Sequence, residues 1–278
     1  MAALLALSAA MAYGVGDFFG GVASRRQPPT TVVLWSHVVG LVGLLTLAPL
    51  VGGDVSTTTL VIGAGAGLLG GVGVALFYWG LAVGTMSVVA PIAALLSAAV
   101  PVVVGLATGE RPTAAALGGI ALALGAVVLV SRDGGTDPAG GRVWKPVALA
   151  IAAGLGFGLF FVVVGHAGDG AGLWPLVGAR VASISLFTAL GAAGVTSSSA
   201  PPRSALGPIV ACGLLDAGAN VCFLLALGHG LMSVVAVLTA LYPAGTVLLA
   251  RVVLGEQLSP VQRAGLGIAG VAAVLIAL

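Results

Sequence analysis

Four ionisable side chains sit inside stretches that are otherwise apolar: Asp17, His37, Arg180 and Asp216. A charge at the centre of a membrane helix costs roughly 2.5–3.5 kcal/mol on insertion scales, so such groups turn to a cavity or a partner and mark ion or substrate paths. Asp17 and His37 are expected at a similar depth beneath the first connecting loop. A carboxylate beside an imidazole in a low dielectric can hold or release a proton near neutral pH, which points to proton coupling. Arg180 occupies the place of His37 at an offset of 143 residues, and Asp216 on a neighbouring helix lies within reach of its guanidinium. Asn220 follows Asp216 by four residues and Phe223 extends that face, so an Asp-Asn-Phe stripe reads as cavity lining. The blander reading is a buried structural pair, or a group snorkelling to the membrane surface.

Aromatic and hydroxyl side chains could complete a pocket: Tyr13 and Phe18 flanking Asp17, Tyr78, and then Thr239, Tyr242 and Thr246. Pro91, Pro101 and Pro243 lie within apolar runs, where a missing N–H loosens the helix ladder and frees a carbonyl. Broken helices of this kind line substrate sites in carriers, although neighbouring helices can equally accommodate a kink. Trp79 sits near a span end and reads as an interfacial anchor.

Other chemistries find little support. The three histidines, His37, His166 and His229, lack metal-ligand spacing, so neither a metal nor a cofactor is expected. No Ser-His-Asp constellation is readable. Cys212 and Cys222 stand ten residues apart on one expected helix, about 15 Å at 1.5 Å per residue, too far for a disulfide. Gly65-Ala66-Gly67-Leu68-Leu69-Gly70 matches the dinucleotide fingerprint, but it follows no strand and the next acidic residue is Glu110. It lies within a Gly63, Gly67, Gly71 stripe, which close helix packing explains better. Glu110 and Glu256 close the fourth and ninth spans, where loop anchoring is favoured over gating.

The elements that must position these residues follow from composition. Charged residues make up 6% of the 278 and hydrophobic ones 59%, with a mean hydropathy of +1.21. A soluble domain carries about 25% charged residues, so most of this surface faces lipid. A net charge of +2 gives no basic patch and no case for nucleic acid. The N-terminal run MAALLALSAAMA lacks the basic region of a signal peptide and reads as a first membrane helix. Apolar runs place ten spans near 2–22, 31–51, 59–80, 86–107, 113–131, 145–165, 172–194, 206–228, 232–254 and 260–278. The Gly-rich connection SRDGGTDPAGGRVWK divides them into two sets of five, 1–131 and 145–278, with 132–144 as a polar linker.

The two sets repeat one another. GVGDFF at 14–19 matches GFGLFF at 156–161, MSVVA at 86–90 recurs at 232–236, and Gly109-Glu110 recurs as Gly255-Glu256. Units with an odd number of spans sit oppositely in the membrane, the inverted-repeat plan of secondary transporters. The run VVAPIAALLSAAVP with its terminal Gly-Glu-Arg, and LTALYPAGTVLLARVVLGEQLS in the second half, resemble the EamA repeat of the drug/metabolite transporter superfamily. That resemblance spans nearly the whole chain. It implies an all-α integral membrane fold of ten helices in two inverted five-helix repeats, a central cavity, and movement of small metabolites.

The expected function is therefore secondary transport of small molecules by a multi-pass plasma-membrane permease or exporter. Protons are the expected coupling ion, and the site lies between Asp17, His37, Arg180 and Asp216. A membrane-embedded lipid-handling enzyme, or a scramblase-like structural protein, is the alternative. Sidedness reads two ways. Eight Arg and Lys residues fall in odd-numbered loops with their flanks and only Arg111 in even ones, which puts both termini outside. The family resemblance implies termini inside. Gly-xxx-Gly faces serve a monomer or a homodimer equally.

Overall fold

Inside a bilayer every backbone N–H and C=O must be satisfied within the chain, and this sequence answers with helices. The structure, a computed structural model, describes residues 1–131, 144–167, 170–197, 199–255 and 259–277. Among these the helices are α1 (Ala2–Ser24), α2 (Pro29–Val51), α3 (Thr57–Val83), α4 (Met86–Ala107) and α5 (Ala114–Ser131). After the linker come α6 (Trp144–Gly165), α7 (Trp174–Ala192), α8 (Arg203–Leu227), α9 (Met232–Thr239), α10 (Pro243–Leu254) and α11 (Pro260–Ala277). Linker residues 132–143 and Glu256 lie outside the described residues.

Local chemistry sets several boundaries. Ser56 caps α3 by accepting a hydrogen bond from the Thr59 amide at 3.1 Å. Pro29, Pro175 and Pro243 sit in the first turns of α2, α7 and α10, where a proline has no helical N–H to lose. Gly255 ends α10 with φ of 72°, a left-handed cap that glycine adopts without strain.

The prolines behave unequally. α4 runs unbroken through Pro91 and Pro101, contrary to the expected break, whereas the ninth span divides at Ala240–Tyr242 immediately before Pro243. There the carbonyl that Pro243 cannot pair with, on Thr239, is taken by the Tyr242 amide at 3.1 Å in a tightened turn. Packed neighbours stabilise the continuous α4, as is usual for prolines in membrane helices.

Eight segments among the described residues are long and apolar enough to cross a membrane, with 232–254 counted as one. α5 and α11 hold shorter apolar stretches, Ala114–Ala126 and Arg263–Ala272. The chain is thus a multi-pass membrane protein with eight clear spans. At one membrane edge the Lys145 ammonium sits 4.9 Å from the centre of the half-exposed Trp79 ring, a cation–π contact of the kind expected of an interfacial anchor.

Packing obeys one exchange rule. α1 packs on α8 as α6 packs on α3; α2 meets α8 as α7 meets α3; α4 meets α6 as the broken α9–α10 meets α1. α2 with α7, α4 with α9, and α5 with α11 are self-matched pairs. Side chains follow the same rule. His37 Nδ1 lies 2.7 Å from Ser183 Oγ, and at the 143-residue offset this contact maps onto Arg180 beside Gly40.

Close approach depends on glycine. Gly63, Gly67 and Gly71 of α3 lie against Pro175, Ala179 and Ser183 of α7, turn against turn. A Cβ on Gly67 would overlap the Ala179 backbone, whereas one on Gly65 would meet open space. The dinucleotide-like run is therefore a packing stripe. Gly67→Ala is expected to destabilise the protein by about 1–3 kcal/mol, the usual cost of overpacking, with Gly65→Ala neutral. Thermal unfolding in detergent would show the contrast, and equal midpoints would contradict this packing.

A second tie crosses from one half to the other. The Glu110 carboxylate, in the turn after α4, accepts hydrogen bonds from the Met232 and Ser233 amides at 2.7 and 3.0 Å. It thus satisfies two orphan donors at the N-terminus of α9. The expectation of loop anchoring takes this specific form.

Candidate functional site: a buried cavity between the halves

Where α1, α3, α6, α7, α8 and the α9–α10 break converge, the helices leave a cavity of about 50 Å³ open to water centres. A space of that size takes in several waters. Tyr13 and Asp17 reach it from α1, and Asp216 and Asn220 from α8. α7 contributes Ala179 and Arg180, and the helix break contributes Tyr242. α3 supplies a bare floor of Gly67, Gly70, Gly71 and Val74, faced by Phe157, Phe160 and Phe161 of α6.

Arg180 and Asp216 form an ion pair through Nη2 and Oδ2, both side chains largely withdrawn from the surface at 8% and 17% exposure. Asn220 Nδ2 donates to the Asp216 backbone carbonyl at 2.7 Å, with a longer contact of 3.4 Å to Asp216 Oδ1. Those bonds fix the amide orientation and leave Asn220 Oδ1 buried without a donor. Asp17 is different again. Among the described residues its carboxylate has neither a hydrogen bond nor an ion pair, although it shares the cavity with the Arg180–Asp216 pair.

The aromatic wall is cross-braced. Tyr13 meets Phe161 at 6.2 Å and Tyr242 at 6.4 Å between ring centroids, and Phe160 meets Phe161 at 5.7 Å. Phe161 stacks on Phe223 at 4.3 Å, so Phe223 backs the wall from behind and does not line the space.

Of the residues singled out from sequence, Tyr13, Asp17, Arg180, Asp216, Asn220 and Tyr242 line the cavity. His37 does not. It turns from α2 to Ser183 of α7 instead of to Asp17, because equal depth on two helices says nothing of the direction each side chain takes. Phe18 packs edge-on to Phe19 in the core. The Tyr78 hydroxyl lies 2.9 Å from Cys212 Sγ, which pins α3 to α8 away from the cavity. Thr246 donates to the Gly14 carbonyl at 2.9 Å and ties α10 to α1. Thr239 is buried with its hydroxyl unpaired, and it too is not at the wall.

Phe157, Phe160 and Phe161 are lining residues that the sequence reading passed over. Their signal lay in the GFGLFF repeat, which served only as evidence of duplication. The Gly70 and Gly71 floor likewise lay within a stripe read for packing alone.

A multi-pass helical protein with a largely apolar cavity, holding two carboxylates and a guanidinium where two similar halves meet, defines a class of membrane protein with an internal site. The chain belongs to the EamA-like transporter family, which matches residues 1–132 and 144–278 as two repeats. No curated protein matches it. Among solved structures, one crystal structure covers 99% of this chain and 95% of its own, at a TM-score of 0.76 and 18% identity, a likeness of fold alone.

Proposed function

We propose that this protein is a secondary carrier of small metabolites in the plasma membrane, moving its substrate against protons by alternating access. The cavity carries the reading: both repeats build its wall, and it places beside an ion pair one carboxylate without a partner among the described residues. Two halves that can rock about such a site form the general plan of alternating access. We read residues 1–131 and 145–278 as inverted five-helix repeats joined by 132–144. In this reading α5 and α11, 18 residues and so about 27 Å long each, complete ten spans.

Reconstitution in proteoliposomes with an imposed pH gradient tests the proposal. Labelled amines, amino acids and sugars are offered in parallel, and a fluorescent lipid reports scrambling. The expected result is accumulation of at least one solute class that collapses with the gradient, with lipid exchange at the protein-free rate. Gradient-independent lipid movement with no solute accumulation would overturn the carrier reading.

A further inference from the structure

We infer that the cavity selects a small organic cation, an alkylammonium with a compact apolar body. The inference rests on the cavity being the transport site and names what it takes. Its ionisable acid and base groups are two carboxylates and one guanidinium, and the guanidinium is engaged by Asp216 through Nη2. With all three charged, Asp17 leaves the site one negative charge in excess. An anion drawn to the remaining N–H groups of Arg180 would still face two nearby carboxylates. A cation is drawn to Asp17, which has no partner among the described residues.

Two further features agree. Asn220, 3% exposed, lines the cavity, and its carbonyl oxygen, buried and without a donor, becomes an acceptor for an ammonium N–H once a ligand parts the wall. Buried acceptors left unmatched cost free energy, so a ligand that brings a donor is favoured over one that does not. Tyr13, Phe157, Phe160, Phe161 and Tyr242 also line the space. Ring faces attract ammonium groups, more strongly where water is excluded, and their carbon surface suits an alkyl chain. The space takes a few non-hydrogen atoms before any wall moves, the size of a short alkylammonium.

The probes are n-butylammonium, butan-1-ol and butyrate, titrated calorimetrically into the full chain in nanodiscs, with protein-free nanodiscs as the lipid control. Saturable binding of butylammonium is expected, at least tenfold tighter than of the alcohol or the acid. Asp17→Asn should weaken it at least tenfold, and Tyr13→Leu severalfold while leaving the carboxylate in place. Preference for butyrate, equal binding by the Asp17→Asn protein, or no saturable binding in any arm would overturn the cation assignment. A protein that moves other solutes yet ignores butylammonium keeps the carrier reading and loses this one. Saturable butylammonium binding without any flux does the reverse.

Discussion

Asp17→Asn is expected to reduce proton-driven flux at least a hundredfold while leaving the purified protein as stable as the original. The two halves of that expectation have one cause. Among the described residues the Asp17 carboxylate holds nothing in place, so an amide of the same size breaks no contact. Burying a charge without a partner is costly, and removing it costs folding nothing. In the proposed carrier the same lack of a partner would let Asp17 exchange a proton for a cation. An asparagine cannot take up that proton or carry that charge. Flux under a pH gradient, paired with thermal unfolding, reads both. Flux at the original level would remove Asp17 from the coupling role.

Arg180→Leu should show the opposite pattern, with the protein itself at risk. It strands Asp216 on α8 in a buried setting, and breaking a buried pair from one side costs about 3–5 kcal/mol. Asn220 still donates to the Asp216 side, but one long contact does not replace a guanidinium. The double change Arg180→Leu with Asp216→Leu removes both charges and is expected to recover most of the lost stability, since apolar replacements of buried pairs are often neutral. Flux should stay absent in both proteins. Thermal unfolding of the two variants checks the stability pattern. A single variant as stable as the original would show that α7 and α8 are braced by other contacts.

How much of this was legible beforehand varies with the physics involved. Charges in an apolar run are conspicuous because lipid excludes them, so Asp17, Arg180, Asp216 and Asn220 could be named from sequence, and all four line the cavity. The Gly63, Gly67, Gly71 stripe was equally plain, because a four-residue period marks one helix face. Depth could be estimated by counting residues, but rotation about the helix axis could not. That is why His37 was paired with Asp17 although it meets Ser183, and why Tyr78 was expected at a wall that it does not touch. Hydroxyls misled for a similar reason: Thr246 looked like a ligand contact but satisfies a backbone carbonyl of α1. The unequal prolines were hidden because α4 and the α9–α10 segment carry them at different positions of the same repeat. Phe160 and Phe161 were missed because an apolar side chain in an apolar helix gives no contrast.

The GVGDFF and GFGLFF copies place Leu159 where Asp17 would be, and Leu159 is 41% exposed on the outer side of α6 while Asp17 faces the cavity. Identical inverted copies would make a carrier's two open forms equivalent by a two-fold rotation and equal in free energy. In the proposed carrier Asp17 has no carboxylate counterpart at Leu159, which would lift that degeneracy and favour one form at rest. The solute gradient finally reached is unaffected, since thermodynamics fixes it. Half-saturation should differ between the two faces of the membrane, and the protein would act as a kinetic rectifier.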